Sequence, residues 1–211
     1  MQGDTARAVI SVFAVVLTVG YAWPQVVRGL RHGVDGVSAG AITQSIVSAC
    51  AWLGYGLARG LLPVVIADIG VATGQVVVLT LLVRHGVVTR GRAALVVGVA
   101  GGLLVASQAS TLTTPIVVIA ATMALTSAVT QLIEVVREPD QLEGLSAGTY
   151  GILLALSVCW LAFGLMTGDL VIIVANTFMI PVAAFITWTA VRSHRVDHAV
   201  GAAVEHDALV P

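Results

Sequence analysis

Four side chains in the apolar part of the sequence have the chemistry to bind a small polar solute. Trp52 and Trp160 offer flat indole faces, which stack on the apolar face of a sugar ring. Asp68 and Asn176 offer atoms that hydrogen-bond hydroxyl groups. At the helical rise per residue, Trp52 lies about 9 Å and Asp68 about 12 Å below the polar turn at residues 58–60. Because Trp160 and Asn176 repeat this spacing, we expect all four to line one central cavity.

Each of these residue types also has a simpler interpretation. Tryptophan is enriched at membrane interfaces, which is the role we favour for Trp23 and Trp188, and a helical Asn such as Asn176 often bonds a neighbouring helix. Asp68 is the only acid well inside an apolar segment, where a charge is costly enough to indicate function. The alternative is a permanently protonated acid bonded to an adjacent helix. If Asp68 titrates, its site is proton-linked or holds a cationic or zwitterionic solute.

The overall composition places the chain in a membrane. Of its 211 residues 58% are hydrophobic and 10% are charged, and the mean hydropathy of +1.00 is far above that of a soluble domain. The net charge is -1 and no basic stripe occurs, which excludes nucleic acid as a partner. The lipid bilayer and a small-molecule substrate are the partners that this composition predicts.

No residue pattern indicates an enzyme, a metal site or a cofactor. The sequence shows no nucleophile, metal cluster or redox pair at membrane depth, and Cys50 and Cys159 lack the spacing of a zinc site or a disulfide framework. A retinal-binding pump needs a lysine for its Schiff base, and the chain has none. A carrier and a membrane sensor without transport both remain as candidates, and solute flux separates them.

Seven segments are predicted to cross the hydrocarbon core of a bilayer, which is roughly 30 Å thick. The fourth is the weakest, because its apolar run gives way to a polar Ser/Thr stretch near Ala106. The predicted spans are residues 8–27, 38–57, 61–83, 93–113, 115–136, 146–166 and 169–191.

The arginines predict the orientation of the chain in the cell membrane. All ten basic residues are arginine, and eight of them lie on one side of the predicted segments while Arg7 and Arg59 lie on the other. Cytoplasmic loops are enriched in basic residues, so we expect the N-terminus outside and the C-terminus in the cytoplasm. Residues 192–211 have low hydrophobicity and mixed charge, and we expect a mobile cytoplasmic tail.

An internal repeat organises these segments. Gln25 returns as Gln131 at an offset of 106, whereas all later landmarks return at an offset of 108, so two residues were inserted between the first and second helices of the later copy. The matching stretches at the larger offset are residues 37–40 with 145–148, 52–56 with 160–164, and 66–68 with 174–176.

The repeat predicts two related three-helix units. Because three is an odd number, direct fusion would leave the second unit upside down, and one extra crossing restores a parallel arrangement. The predicted fold is therefore an all-α polytopic membrane protein of seven transmembrane helices in a 3+1+3 arrangement. The first unit covers residues 8–83, the linker helix residues 93–113, and the second unit residues 115–191.

At these landmarks the chain resembles the PQ-loop superfamily and, within it, the SWEET and SemiSWEET sugar transporters. The resemblance covers residues 8–191 and rests on the Pro24-Gln25 pair, on the W-L-x-[Y/F]-G motif of both units, and on the polar residue in each third helix. The chain departs from the family at Thr130, where the second Pro-Gln would have its proline, and at Asp68, where sugar-carrying members usually have Asn.

The resemblance implies an alternating-access transporter that carries a mono- or disaccharide without a cofactor. A proton-linked carrier of an amino acid, or of another zwitterionic or cationic solute, is the alternative that Asp68 keeps open. Half-size bacterial members of this family work as dimers, and whether copies of this chain associate into a homo-oligomer stays open.

Two sets of residues are candidate gates. Pro24 lacks an N–H and crowds the carbonyl of Gly20, so it should kink the first helix and provide a hinge for an inner gate. Gln25 and Gln131 are the polar groups nearest to this hinge.

At the other end of the predicted helices, two opposite charges are candidates for an outer gate. Arg59 belongs to the first unit, and Asp169 to the second, at the position that matches residue 61. We expect them to face each other across the outer mouth, with Tyr55 and Phe163 beneath. The alternative is a pair of solvated loop charges whose attraction contributes well under about 1 kcal/mol.

Overall fold

The computed structural model describes residues 2–137 and 147–208, and this part of the chain is all-helical with seven helices. The all-α class predicted from the sequence is therefore confirmed. In chain order the helices are α1 (Gln2–His32), α2 (Ala39–Arg59), α3 (Leu62–Arg84), α4 (Arg90–Ala106), α5 (Ser110–Arg137), α6 (Ala147–Thr167) and α7 (Leu170–Ala208).

Several of these helices are suited to a membrane. Among the described residues, four helical stretches are long and apolar enough to cross a bilayer, judged by length and composition. Two shorter apolar stretches, Ser110–Thr126 and Gly151–Thr167, belong to α5 and α6. The chain is thus a helical membrane protein by composition and helix length. The four long stretches are Gly3–His32, Ala39–Arg59, Leu62–Arg84 and Leu170–Thr189.

The observed helices differ from the predicted segments at several of their ends. The fourth segment was expected to reach Thr113, but α4 ends at Ala106 because Ser107 begins a short turn in which the Thr113 hydroxyl donates to the Ser107 carbonyl at 2.6 Å. At the C-terminus, α7 continues past residue 191 to Ala208, while the mobility expected of this tail stays a prediction. The predicted start of the sixth segment, Ser146, lies outside the described residues.

The helices pack in a pattern that is the same for the two halves of the chain. In the first half α3 contacts both α1 and α2, and in the second half α7 contacts both α5 and α6. Between the halves, α1 packs against α6 and α2 packs against α5. Exchanging α1, α2 and α3 for α5, α6 and α7 leaves this set of contacts unchanged, so the two halves meet around a pseudo-twofold axis.

A close approach of two helices recurs at the repeat offset. A Cβ atom at Gly56 would lie 3.1 Å from Val64, and a Cβ atom at Gly164 would lie 3.1 Å from Ile172. Each glycine therefore lets the second helix of its half approach the third closely near their shared turn. The final glycine of the W-L-x-[Y/F]-G motif is explained by this contact.

The variable position of that motif is explained by α4, which packs against α2. A Cβ atom at Gly54 would overlap the side chain of Ser107, and the Gln108 side-chain amide donates to the Gly54 carbonyl at 3.2 Å. The matching residue in the second half is Ala162, which has no such neighbour from α4. The linker region thus requires glycine in the first half only.

Candidate functional site

A cavity of about 200 Å³ lies between the two halves of the protein. Residues from α1, α2 and α3 form part of its wall, and residues from α5, α6 and α7 form the rest. The structure brings all four of the predicted site residues to this cavity, although their role in binding stays a prediction. Its polar and tryptophan lining residues are Thr18, Trp52, Asp68, Ser157, Trp160 and Asn176.

Many residues that line the cavity correspond to one another in the internal repeat. Val64 and Ala67 line the cavity together with their counterparts Ile172 and Ala175 at the offset of 108. Thr18 of α1 also lines it, and so does Ala124 of α5, which corresponds to Thr18 at the offset of 106. Most of the lining therefore comes from equivalent positions of the two halves, as expected for a cavity on the pseudo-twofold axis.

Both tryptophans of the cavity are held by an aromatic ring one turn further along the same helix. The rings of Trp52 and Tyr55 are 5.9 Å apart at 83°, and those of Trp160 and Phe163 are 5.6 Å apart at 90°. Such edge-to-face contacts are the favoured geometry of aromatic pairs. The two indoles are thus positioned in the same way in both halves, and both are partly buried.

The hydrogen bonds of the two tryptophans differ. The Trp160 indole N–H donates to the Thr18 hydroxyl oxygen at 2.9 Å, across the interface between α6 and α1. In the other half, Ala124 stands at the position that corresponds to Thr18. The Trp52 indole N–H has no hydrogen-bond partner within residues 2–137 and 147–208. Only one of the two indole donors therefore has a partner among the described residues.

The two polar residues of the third helices also differ in their hydrogen bonds, and again it is the residue of the first half that lacks a partner among the described residues. The Asn176 amide donates to the Ile172 carbonyl of its own helix at 2.8 Å. Asp68, its counterpart, makes neither a hydrogen bond nor an ion pair with any described residue. An acid without a partner at membrane depth is energetically costly, so the cavity retains an acceptor that a proton or a solute would satisfy.

A buried layer that joins the two halves lies next to the cavity and shares Val64 and Ile172 with its lining. The Tyr55 hydroxyl donates to the Asp169 carboxylate, at 2.8 Å from one oxygen and 2.9 Å from the other. The same carboxylate accepts from the backbone N–H groups of Val171 and Ile172, both at 3.1 Å, and so caps the start of α7. Tyr55 is 1% exposed and Asp169 4% exposed. Phe163 is buried in the same apolar cluster.

Asp169 is not paired with Arg59 as the sequence suggested. Both line a surface depression at this end of the bundle, but they form no ion pair, and Arg59 is exposed. Arg59 is the last residue of α2 and is exposed, whereas Tyr55, one turn earlier, donates its hydroxyl to the buried carboxylate. The predicted pairing of opposite charges is therefore replaced by a tyrosine hydroxyl as the partner.

Two of the residues predicted for the inner gate, Pro24 and Gln25, are not among the residues that line this cavity. Pro24 lies inside α1, which continues as one helix to His32, and both Pro24 and Gln25 are exposed. The side chain of Gln131 lies outside what the structure describes. The hinge at Pro24 stays a prediction.

Three polar residues near the site were not singled out from the sequence. Thr18 and Ser157 line the cavity, and Gln75 is 5% exposed with a side-chain oxygen that has no partner among the described residues. Gln75 follows Asp68 by two helical turns on the same face of α3, about 10 Å further along. All three could have been found in the sequence, because each is a polar residue inside an apolar helix and has alanine at the matching position of the other half. The matching residues are Ala124 for Thr18, Ala49 for Ser157 and Ala183 for Gln75.

No model of a known protein family matches the chain, and no functionally characterised protein matches it significantly. Among the described residues, no three His, Cys, Asp or Glu side chains form a group that would hold a metal ion. The side chains that line the cavity offer two indole faces, one carboxylate and one amide oxygen, and one of the two indole N–H groups has no partner among the described residues.

Proposed function

We propose that this chain is a membrane transporter that carries a small polar solute by alternating access. The observation that carries the proposal is the cavity on the pseudo-twofold axis, to which both halves contribute a tryptophan and a polar residue of the third helix. A site shared between two similar halves changes its access when one half tilts against the other. The proposed arrangement in the membrane is seven crossings in a 3+1+3 order, with the N-terminus outside.

The first candidate for the solute is a single sugar ring. Its volume of about 200 Å³ is below the roughly 300 to 1,000 Å³ of pockets for drug-sized ligands, so a monosaccharide suits it better than a disaccharide. The indoles of Trp52 and Trp160 offer apolar faces for a ring, and Asp68 and Asn176 offer acceptors for its hydroxyls. The resemblance to SWEET and SemiSWEET transporters supports the same solute class.

A proton-linked carrier of an amine or amino acid is the second candidate, and Asp68 is the observation that favours it. This acid lines the cavity without a hydrogen bond or an ion pair to any described residue, so a proton or an ammonium group would compensate its charge. Tryptophan faces beside the acid would add cation–π attraction for an ammonium group.

Solute counterflow in proteoliposomes tests these proposals. The purified protein is reconstituted, and exchange of radiolabelled D-glucose, sucrose, glycine and lysine is measured at acidic and at neutral pH. Exchange of glucose at both pH values supports the first candidate, and exchange of an amino acid that depends on pH supports the second. Specific binding of a solute without any flux would instead indicate a sensor.

A further inference from the structure

The two halves present different hydrogen-bonding groups to the cavity. On the second half, the Trp160 indole N–H is taken up by the Thr18 hydroxyl at 2.9 Å, and the Asn176 amide donates to the Ile172 carbonyl at 2.8 Å. On the first half, neither the indole N–H of Trp52 nor the carboxylate of Asp68 has a hydrogen-bond partner in the described chain. The first half therefore leaves the Trp52 indole donor and the ionisable Asp68 acceptor for a solute, whereas the second half leaves the Asn176 amide oxygen but no indole donor.

Thr18 is the residue that creates the difference between the tryptophans. Its hydroxyl donates to the Ala14 carbonyl at 2.7 Å, which orients a lone pair for the Trp160 indole. A threonine side chain is branched at Cβ and has few rotamers in a helix, so this acceptor is held in place. Ala124, at the corresponding position facing the other wall, has only a methyl group and accepts nothing.

We propose that Thr18 is a positioning residue that withdraws the Trp160 indole N–H from hydrogen bonding with the solute, so that Trp52 is the one tryptophan of the cavity that donates to it and the solute binds in a preferred orientation. Its polar end faces the first half, with an acceptor atom on the Trp52 N–H and a donor on Asp68, while Trp160 contributes only its ring face. The solute class is then a small molecule with a donor and an acceptor at one end and an apolar face at the other. The inference rests on the proposed transport function.

The hydrogen bonding of the two indoles is tested without any solute. Indole N–H exchange with deuterated water is followed by NMR on isotopically labelled protein in lipid nanodiscs, and the signals are assigned with single Trp→Phe variants. We expect Trp52 to exchange several-fold to about tenfold faster than Trp160. Thr18→Val should accelerate Trp160 by a similar factor, and Ala124→Thr should slow Trp52. Equal rates for the two indoles in the natural protein, or rates that respond to neither substitution, would overturn the role of Thr18.

The orientation of the solute is tested with D-glucose and glycine as probes. A probe that is bound should protect the Trp52 N–H and leave the Trp160 N–H unaffected, whereas in Thr18→Val the protection should extend to Trp160. Ala124→Thr should weaken binding by about tenfold, and this loss should disappear when Trp52 is changed to Phe. Protection of Trp160 alone in the natural protein would overturn the inference. If neither probe is bound or carried, the proposed function fails for these solutes, and the exchange rates still decide the role of Thr18.

Discussion

The Tyr55 hydroxyl and the Asp169 carboxylate form a hydrogen bond of 2.8 Å that joins the two halves of the protein at one end of the cavity. The counterparts of these residues are Phe163 and Leu61, both of which belong to an apolar cluster in the same layer. This layer therefore contains one polar pair, Tyr55 and Asp169, and one apolar pair, Phe163 and Leu61. The polar pair ties α2 of one half to the start of α7 of the other.

Removal of the Tyr55 hydroxyl should weaken this layer. Because a hydrogen bond to a charged group contributes about 1.5 to 3 kcal/mol, Tyr55→Phe should lower the thermal stability of the closed protein and open this end more often. The opening is measured as the rate at which an impermeant maleimide labels Thr167→Cys in a chain without Cys50 and Cys159. Asp169→Asn, which keeps a capping oxygen, should have a smaller effect. An unchanged labelling rate in Tyr55→Phe would show that the bond does not hold the layer shut.

Replacement of Asp68 by the residue of its counterpart should remove the pH dependence of transport. Asp68→Asn makes the two third helices carry the same amide, which Asn176 shows to fit at this depth. Downhill exchange should continue, while accumulation driven by a proton gradient should be lost, because no carboxylate remains in the cavity lining. Proteoliposome uptake across a pH range is the measurement.

The reverse change, Asn176→Asp, is the matched control for Asp68→Asn. It adds a carboxylate to the second half and should make transport more sensitive to pH. A pH profile that is the same in the natural protein and in Asp68→Asn would exclude Asp68 as the coupling group.

A methyl group at Gly54 should separate α4 from α2. The added Cβ would overlap Ser107, and overpacking of this kind costs about 1 to 3 kcal/mol. We therefore expect Gly54→Ala to lower the unfolding temperature in detergent, and Ser107→Gly to restore part of it. Gly98→Ala in α4 is the control, because a Cβ there has nothing within 4 Å and alanine favours the helix. Equal stability of the two alanine variants would show that α4 adjusts without strain.

Substitution of Pro24 should slow transport more than it changes stability. Pro24 lies inside α1, the helix of the first half that contacts both α3 and α6, so a bend there alters the interface between the halves. Pro24→Ala restores a backbone donor and should straighten α1, lowering exchange several-fold in proteoliposomes. Pro63→Ala, at the first turn of α3, bends no helix and serves as the control. Normal exchange by Pro24→Ala would remove the hinge from the mechanism.

The helices of the fold could be predicted from the hydrophobic pattern and the internal repeat. Runs of apolar residues between clustered arginines predicted the helices, and the recurrence of Trp52 as Trp160 and of Asp68 as Asn176 predicted which side chains share a cavity. These predictions succeed because spacing along a helix sets depth, and equal depth in two similar units brings equivalent residues together at their common axis. The end of α4 was misplaced because a polar turn of three residues hardly interrupts an apolar pattern.

The sequence by itself determined that the chain is a helical membrane protein with matched tryptophans and one intramembrane acid. Only the tertiary structure decided which partner each polar group has: Thr18 for Trp160, Tyr55 for Asp169, and no described residue for Asp68. These contacts join residues as far apart as 142 positions in the chain. They depend on how each helix is rotated against a neighbour from the other half, and the periodicity within a single helix carries no information about that rotation.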